Sequence, residues 1–253
     1  MKKLHPDNEI QKRLKAMRLY AEKVSRHFGE EDIHQLRVNY KKARAFIRLS
    51  NGKKVKKLLP PTIKDLYTAA GKIRDLQLHI KSVKRYFKDL DSTPTHYLDA
   101  VNAELKEAKD EYKQCYKNVS FQRIAKTASA NIASDLRHRE IKQWVQKQWK
   151  RIDKILQLPP DEEQLHEIRK HLKDLHYTQQ LSKEKDQDKL IDDLGSFIDM
   201  KVLMTLSDQF INSASADEKK IFAAASFQWD SEKKALMEKI EKQLTTLKTK
   251  IQV

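Results

Sequence analysis

Hydrophobic positions recur with helical spacing along most of this chain. Apolar residues return every three or four positions in segments of about 17–35 residues, which is the period of amphipathic α-helices. Short breaks separate the segments, at Gly29, Asn51-Gly52, Pro60-Pro61, Pro94, Pro159-Pro160 and Ser213–Ser215. Because long helices on short connections pack as antiparallel neighbours, this pattern predicts a helical bundle.

The breaks also set the bounds of the predicted helices. They cover about residues 8–27, 32–49, 62–88 with a kink near Gly71, 94 onward, 121–156 as one helix or two, 161–181, 186–210 and the C-terminal segment. Asp32 and Thr93 are predicted to cap the helices that follow them, since their side-chain oxygens accept backbone N–H bonds. Trp144, Trp149 and Trp229 are interpreted as packing residues.

The amino-acid composition supports an all-α fold. Four glycines and six prolines in 253 residues are too few for a sheet-rich protein, which needs turns every 8–12 residues or so. One cysteine, Cys115, excludes an intrachain disulfide framework and fits a reducing compartment. The basic N-terminus lacks the apolar region of a signal peptide, and no stretch approaches the roughly 18 apolar residues of a membrane span. We therefore expect a soluble, cytoplasmic protein with no membrane span.

Positive charge is concentrated in one part of the chain. The sequence holds 52 Lys and Arg against 36 Asp and Glu, a net charge of +16. Residues 33–64 contain ten basic residues and no Asp or Glu, which leaves +6 for the remaining 221 residues. Such a concentrated field attracts anionic partners. The alternative, a solvated lysine-rich face that keeps the protein soluble, stays open from charge alone.

The second predicted helix carries this charge as a stripe. At about 100° per residue, His34, Arg37, Lys41, Arg44 and Arg48 share an arc of roughly 80° over four turns. An apolar face beside this arc carries the core residues, which are Leu36, Tyr40, Ala43 and Ile47. The same spacing returns after the double proline, with His166, Arg169, Lys173 and His176 on one face, and Leu165, Ile168, Leu172 and Leu175 on the other.

A second pair of matching elements follows the two stripes. Gly71 precedes Asp75 by four positions, and Gly195 precedes Asp199 in the same way. A helical glycine is unfavourable by up to ~1 kcal/mol relative to alanine and usually marks the close approach of another helix. The two elements repeat in the same order at an offset of about 124–132 residues, which indicates an internal duplication.

The stripes suit phosphate chemistry. Like charges four apart on a helix repel by about 0.2–0.5 kcal/mol per pair, so a ligand that neutralises them is the simplest reason for the arrangement. Arginine binds phosphate oxygens with two parallel hydrogen bonds, lysine supplies a point charge, and histidine adds a donor when protonated. Two structural alternatives remain open: an ion-pair face against neighbouring carboxylates, and buried neutral histidines that serve the fold.

These residues resemble the signature helices of the conserved-histidine α-helical domain, CHAD. The first pattern of that family, His-x-x-Arg-Val-x-x-[Arg/Lys]-[Arg/Lys]-x-Arg, is met by His34, Arg37, Val38, Lys41, Lys42 and Arg44. Its Gly-x-x-Arg-Asp element is met by Gly71, Arg74 and Asp75, and its second-half pattern by Leu165, His166, Arg169, Lys170, Lys173 and Tyr177. Three residues depart from the family: His176 stands where Arg is usual, Asp174 where a basic residue is common, and Ile198 where a polar residue precedes Asp199.

The resemblance covers essentially the whole chain and implies one domain, residues 1–253, with two pseudo-twofold-related four-helix halves, about 1–120 and 121–253. It also implies that the basic helix faces bind inorganic polyphosphate, with association to polyphosphate granules or to triphosphate-processing enzymes. The expected polyphosphate-binding residues are His34, Arg37, Lys41, Lys42, Arg44, Arg48, Arg74, His166, Arg169, Lys170, Lys173, His176 and Tyr177.

Two other functions remain as alternatives. A phosphate-tracking surface attracts DNA or RNA non-specifically, but the stripes are expected to lack the interleaved aromatic residues of a base-stacking platform. A phosphohydrolase-type enzyme is the second alternative. The sequence has no phosphate-binding loop, no His-Glu-x-x-His helix and no His-Asp dipeptide, and its histidines form no i, i+4 pairs. We therefore expect no catalytic residue, no metal site and no cofactor.

Overall fold

The computed structural model describes residues 5–51, 55–88, 90, 92–132, 136–178 and 185–252. In these ranges the chain forms α-helices and one 3₁₀ turn, and none of the described residues lies in a strand. The helices are α1 (Pro6–His27), α2 (Glu30–Asn51), α3 (Val55–Leu58), α4 (Pro61–Lys88), α5 (Thr95–Lys117), α6 (Phe121–Asn131), α7 (His138–Ile155), α8 (Glu162–Tyr177), α9 (Lys185–Phe210) and α10 (Ala216–Gln252), with the 3₁₀ turn at Ile211–Ser213. The prediction of an all-α fold is confirmed.

The predicted helix bounds agree with the observed ones to within a few residues. The stretch 121–156, for which one helix or two were predicted, forms two, α6 and α7. α4 is a single helix that runs through Gly71. Gly52, in the predicted break after α2, lies outside the described residues. Short α3 is the one helix in the described ranges that the periodicity does not predict, because four residues are too few to establish a period.

Two predicted caps are wrong by a few positions. Asp32 lies inside the first turn of α2, and the carbonyl of Gly29 accepts the first helical hydrogen bond there, from the Ile33 N–H at 3.0 Å. α5 begins after Pro94, whose carbonyl accepts from the Leu98 N–H at 2.9 Å, so Thr93 precedes the cap position. Both shifts lie within the usual uncertainty of helix ends.

The chain divides into two compact units that are not consecutive in sequence. Unit 1 contains Met1–Lys72, Lys109–Gln157 and Lys170–Ser182. Unit 2 contains Ile73–Ala108, Leu158–Arg169 and Lys183–Val253. Helices α4, α5 and α8 therefore each contribute one part to each unit. The predicted halves, about 1–120 and 121–253, follow a different boundary and stay a prediction.

In unit 1, the apolar faces of α1 and α2 pack against each other. Ile10 and Met17 of α1, and Ile33 and Ile47 of α2, are fully buried. The connection between these helices is tight because Phe28 takes a left-handed conformation (φ 52°) and its N–H bonds the Val24 carbonyl at 3.0 Å. This conformation is uncommon for a residue with a Cβ. The Phe28 ring also makes an edge contact with Tyr112, at 5.9 Å between centroids.

In unit 2, α9 packs against α10 around an aromatic core. The ring of Tyr97 contacts Phe222, with centroids 4.3 Å apart, and Trp229 is 5% exposed, which confirms its interpretation as a packing residue. At the start of α10, Ser215 and Glu218 form a reciprocal capping pair, with bonds of 2.6 and 3.3 Å. Glu162 of α8 forms ion pairs with Lys201 of α9, at 2.7 Å, and Lys233 of α10, at 2.6 Å.

Candidate anion-binding site

Helix α2 separates its apolar and basic residues as the spacing predicts. Leu36, Tyr40, Ala43 and Ile47 are buried, each at most 4% exposed. The cations of the stripe lie beside this face and are half-buried, and they are Arg37, Lys41, Arg44 and Arg48, with His34 at the beginning. The burial of the apolar face fixes the rotation of α2 about its axis. The same packing therefore holds the cations along one side of the helix.

Arg37 is positioned by α4. Its Nη1 donates a hydrogen bond to the carbonyl of Tyr67 at 3.0 Å, and its guanidinium carbon lies 4.5 Å from the centre of the Tyr67 ring. The guanidinium also passes over Gly71, where a Cβ would meet Nη1 at 2.2 Å. Gly71 therefore leaves room for the arginine side chain in this position, whereas the sequence had suggested the close approach of a helix. The cation–π contact and the hydrogen bond together restrict the rotamers of Arg37.

Two stacked tyrosines connect Arg37 with Arg44. The rings of Tyr40 and Tyr67 lie 4.2 Å apart and are nearly parallel, at 21°. The guanidinium carbon of Arg44 lies 5.8 Å from the Tyr40 ring, and its Nε is buried without a hydrogen-bond partner among the described residues. Burial raises the pKa of Tyr40, and the positive charge of Arg44 partly opposes that shift. Aromatic residues thus do lie next to the stripe, which corrects the expectation that it lacks them.

Arg48, at the C-terminal end of the stripe, forms an ion pair with a carboxylate. Its Nη1 lies 2.6 Å from Oδ2 of Asp174 on α8. Asp174 is buried, with 6% of its side chain exposed, and the Arg48 side chain is one-third exposed. This contact is an ion pair of the kind that the sequence left open as an alternative. It involves one of the residues at which the chain departs from the CHAD pattern.

Lys42 and Lys173 approach the same aromatic ring. Both Nζ atoms lie 5.8 Å from the centre of the Tyr177 ring, so α2 and the C-terminal part of α8 each supply one cation there. The pKa of Lys42 is lowered, mainly by burial and then by the nearby charge of Arg13 on α1. The nearby charge of Lys12 lowers it further, while Glu9 opposes the shift. Lys42 therefore lies in a region of positive potential that a bound anion would relieve.

The second stripe reproduces the contact between arginine and glycine in unit 2. Arg169 donates from Nε to the carbonyl of Ile191 at 3.4 Å, and a Cβ on Gly195 would lie 2.9 Å from its Nη2. Arg37 and Gly71 make the corresponding contact in unit 1. In both repeats, the glycine therefore leaves room for the arginine of the preceding motif. His166 is exposed, and Arg74, also in unit 2, is half-buried.

The expected site residues fall into two groups. Unit 2 contains Arg74, His166 and Arg169. Unit 1 contains the others, which are His34, Arg37, Lys41, Lys42, Arg44, Arg48, Lys170, Lys173, His176 and Tyr177. His171, which the spacing places on another face of α8, contacts Gln148 of α7 through Nδ1 at 2.8 Å. The stripe of α2 therefore shares its unit with the C-terminal part of the second stripe.

Sequence reasoning did not identify Tyr67, Lys12 and Arg13 as neighbours of the site. Tyr67 precedes Gly71 by four residues, so it lies on the same face of α4, and this spacing is the signal that could have identified it. Lys12 and Arg13 belong to α1, whose basic residues show no stripe comparable with that of α2.

Among the described residues, no group of three or more His, Cys, Asp or Glu side chains is arranged to hold a metal ion. No helix in the described ranges is long and apolar enough to cross a membrane.

Comparisons with known proteins agree with this architecture. The CHAD domain family model matches residues 9–206, so all of α10 lies beyond the matched region. PptA from Streptomyces chartreusis is 10% identical, with a TM-score of 0.72 over 96% of this chain and 100% of that one. The crystal structure of the CHAD domain from the plant Ricinus communis is 17% identical, with a TM-score of 0.59 over 96% of this chain and 92% of that one. No curated protein matches the sequence significantly. Since the family model covers more than half of its length, this chain belongs to the CHAD domain family.

Proposed function

We propose that this protein binds inorganic polyphosphate on the basic face of unit 1 and catalyses no reaction. The observation that carries the proposal is the placement of cations from two helices within one unit. Arg37 and Arg44 of α2 lie against stacked tyrosines, and Lys42 and Lys173 share the Tyr177 ring. A polymer with one negative charge or more per repeat can contact several of these cations at once. The CHAD resemblance implies the same ligand.

The geometry favours an extended anion over a single phosphate. The cations of α2 recur along four turns, and each turn rises about 5.4 Å, so one phosphate cannot reach them all. The tyrosine contacts restrict the arginine side chains before any ligand binds, which reduces the conformational entropy lost on binding. Arginine then offers paired N–H donors to phosphate oxygens. Burial and then the nearby charge of Arg13 lower the pKa of Lys42, and a bound anion would offset the repulsion from Arg13.

The proposal includes a cellular setting. A binding protein without catalytic groups would hold or concentrate polyphosphate, and we place it in the cytoplasm at polyphosphate granules. A triphosphate-processing enzyme is the partner that this role would serve, because it acts on the same phosphoanhydride chemistry. The test of this setting is whether a fluorescently tagged protein follows the granules and disperses when the cell's polyphosphate is removed.

Single-stranded nucleic acid is the second candidate, and the aromatic residues near the stripe favour it. Bases stack on aromatic side chains at about 1–3 kcal/mol each, and Tyr67 and Tyr177 are only half-buried. However, the Tyr67 ring already contacts both Tyr40 and Arg37, and two lysines approach the Tyr177 ring. Contacts of this kind leave less ring surface for a base. We therefore expect phosphate contacts to dominate.

A competition experiment separates the two candidates. Labelled polyphosphate is bound to the protein at physiological salt and displaced with unlabelled polyphosphate or with single-stranded RNA, both at equal phosphate concentration. We expect polyphosphate to compete at least about tenfold more effectively, because its phosphates follow one another without intervening sugars and lie closer together than those of RNA. RNA that competes equally well or better would contradict the proposed function and favour the second candidate. Incubation of polyphosphate with the protein should also leave its chain length unchanged.

A further inference from the structure

One carboxylate lies against the cations of the proposed site. Asp174 is on α8, one residue after Lys173 and three before Tyr177, whose ring both Lys173 and Lys42 approach. Its Oδ2 lies 2.6 Å from Nη1 of Arg48, the last cation of the α2 stripe. All these residues belong to unit 1. The negative charge therefore lies against the last cation of the α2 stripe and next in sequence to Lys173 of α8.

The burial of Asp174 strengthens the electrostatic effect of its negative charge on nearby groups. Its side chain is 6% exposed, so water and salt screen it less than a surface carboxylate. Arg48 is one-third exposed and could still reach a ligand if its partner were absent. While the pair is formed, the charge of Arg48 is matched, and a phosphate approaching it also approaches Asp174. Attraction by one and repulsion by the other nearly cancel over this part of the stripe.

We infer that Asp174 withdraws Arg48 from ligand binding and so limits how many phosphates the site engages. This inference rests on the proposed function. In a chain with a neutral residue at position 174, the α2 stripe would extend over Arg37, Lys41, Arg44 and Arg48. In this chain the effective stripe ends at Arg44. The departure from the CHAD pattern at position 174 thus affects the affinity for the ligand. This protein binds polyphosphate more weakly than its number of cations suggests.

The inference predicts the behaviour of a double-mutant cycle. Asp174→Asn keeps the shape of the side chain and removes its charge, so polyphosphate should bind about tenfold more tightly at low salt. Arg48→Gln alone should weaken binding, because it removes the attraction of Arg48 and leaves the repulsion of the buried Asp174 carboxylate uncompensated. Arg48→Gln in the Asp174→Asn background should remove the gain. The slope of log affinity against log salt should become steeper by about 0.7 in Asp174→Asn, as one more cation releases counterions.

A matched control separates local charge from net charge. Asp110→Asn makes the same substitution at an exposed position on α5, where the carboxylate pairs with Lys113 at 3.0 Å. It raises the net charge of the protein equally and should change the affinity less than about twofold. Circular dichroism and thermal melting establish that each variant is folded. If Asp174→Asn does not fold, the Arg48→Gln/Asp174→Asn double variant still tests the inference, because it removes both charges of the pair at once. An affinity within about twofold of the wild type supports the inference, and a loss above about fivefold would show that Arg48 binds ligand in the wild type.

The outcomes distinguish this inference from the proposed function. Tighter binding by Asp174→Asn, reversed by the second substitution and absent from Asp110→Asn, supports both. If the wild type binds polyphosphate but Asp174→Asn binds equally or more weakly, the proposed function stands and the inference is overturned. If neither the wild type nor Asp174→Asn binds polyphosphate, the proposed function fails and the inference fails with it.

Discussion

At the residue scale, the contact between a glycine and an arginine is the feature that both repeats share. Arg37 passes over Gly71 in unit 1, and Arg169 passes over Gly195 in unit 2. Neither glycine has a positive φ, so backbone conformation does not explain why glycine is there. The explanation is space: a methyl group at either position would meet a guanidinium. Gly71 therefore leaves room for a cation of the proposed site, and Gly195 leaves room for the matching arginine in unit 2.

Gly71→Ala tests this explanation. The added Cβ would lie 2.2 Å from Nη1 of Arg37, so the guanidinium must leave its place and its hydrogen bond to the Tyr67 carbonyl. Because alanine favours a helix over glycine by about 0.5–1 kcal/mol, and the lost hydrogen bond is worth a similar amount, the melting temperature should change little. Polyphosphate affinity should fall about three- to tenfold. Titration and thermal melting of the same variant measure both effects.

The second repeat supplies a graded comparison. In Gly195→Ala the nearest contact would be 2.9 Å, to Nη2 of Arg169, so a smaller movement relieves it. The affinity should therefore change less in Gly195→Ala than in Gly71→Ala. An unchanged affinity in Gly71→Ala would show that the position of Arg37 has no part in binding.

A buried histidine gives a separate prediction about stability. His79 is 2% exposed, its Nε2 shares a hydrogen bond of 2.6 Å with the Tyr97 hydroxyl, and its Nδ1 has no partner among the described residues. Burial lowers its pKa from 6.5 to about 4. The unfolded state therefore binds a proton first as the pH falls, so stability should decrease between about pH 6.5 and pH 4. His79 contributes about 2–3 kcal/mol to this decrease by pH 4.5.

His79→Gln isolates that contribution, since glutamine does not titrate in this range. Urea unfolding at pH 7 and pH 4.5 should show a smaller loss of stability for the variant than for the wild type. The comparison of pH dependences removes any constant effect of the substitution. Equal losses in the two proteins would mean that His79 is not buried in its neutral form.

At the element scale, the helices were predictable because their signal is local and repeated. Apolar periodicity over more than four turns fixed the faces of α2 and α8, and proline or glycine marked most of the ends. The caps were misplaced by one to three residues, since several polar residues near a helix end can serve the same purpose. The stripe of α2 was also predictable, because it depends on the spacing of residues within a single helix.

Contacts between helices could not be predicted from the sequence. The pairing of Arg48 with Asp174 joins residues 126 positions apart, and no local pattern shows which carboxylate faces which cation. Tyr67 was missed for a similar reason, since its importance depends on how α4 packs against α2. From the sequence, ion pairing with neighbouring carboxylates was one alternative for the stripe. Packing determined that Arg48 is paired.

The separation of faces on α2 predicts different effects for neighbouring substitutions. Arg37→Glu combined with Arg44→Glu reverses two charges of the proposed site, and we expect polyphosphate affinity to fall by at least about a hundredfold. Stability should decrease only by about 1 kcal/mol, the typical value of the hydrogen bond that Arg37 donates. Leu36→Asp should instead unfold the protein, because Leu36 is 1% exposed and the charge would have no partner. Circular dichroism and binding measurements on both variants provide the test. Unfolding of the arginine variant would contradict the division into binding and core faces.

At the scale of the whole molecule, charge is distributed more unevenly than its total suggests. Ten of the net sixteen positive charges come from residues 33–64, and ten of the thirteen expected site residues lie in unit 1. A protein that was merely basic for solubility would have no reason for this concentration. The distribution predicts that binding depends on several cations acting together, so that affinity is electrostatic and sensitive to ionic strength.

The salt dependence of polyphosphate binding tests the central claim most directly. Affinity is measured by titration at several salt concentrations between about 50 and 300 mM, with the wild type and the Arg37→Glu/Arg44→Glu variant. If about five cations are neutralised together, the slope of log affinity against log salt should be about −3 to −4, as for single-stranded polyanions. The variant should give a distinctly shallower slope. A wild-type slope near zero, or one that the arginine substitutions leave unchanged, would contradict the assignment of the α2 stripe as the polyphosphate-binding site.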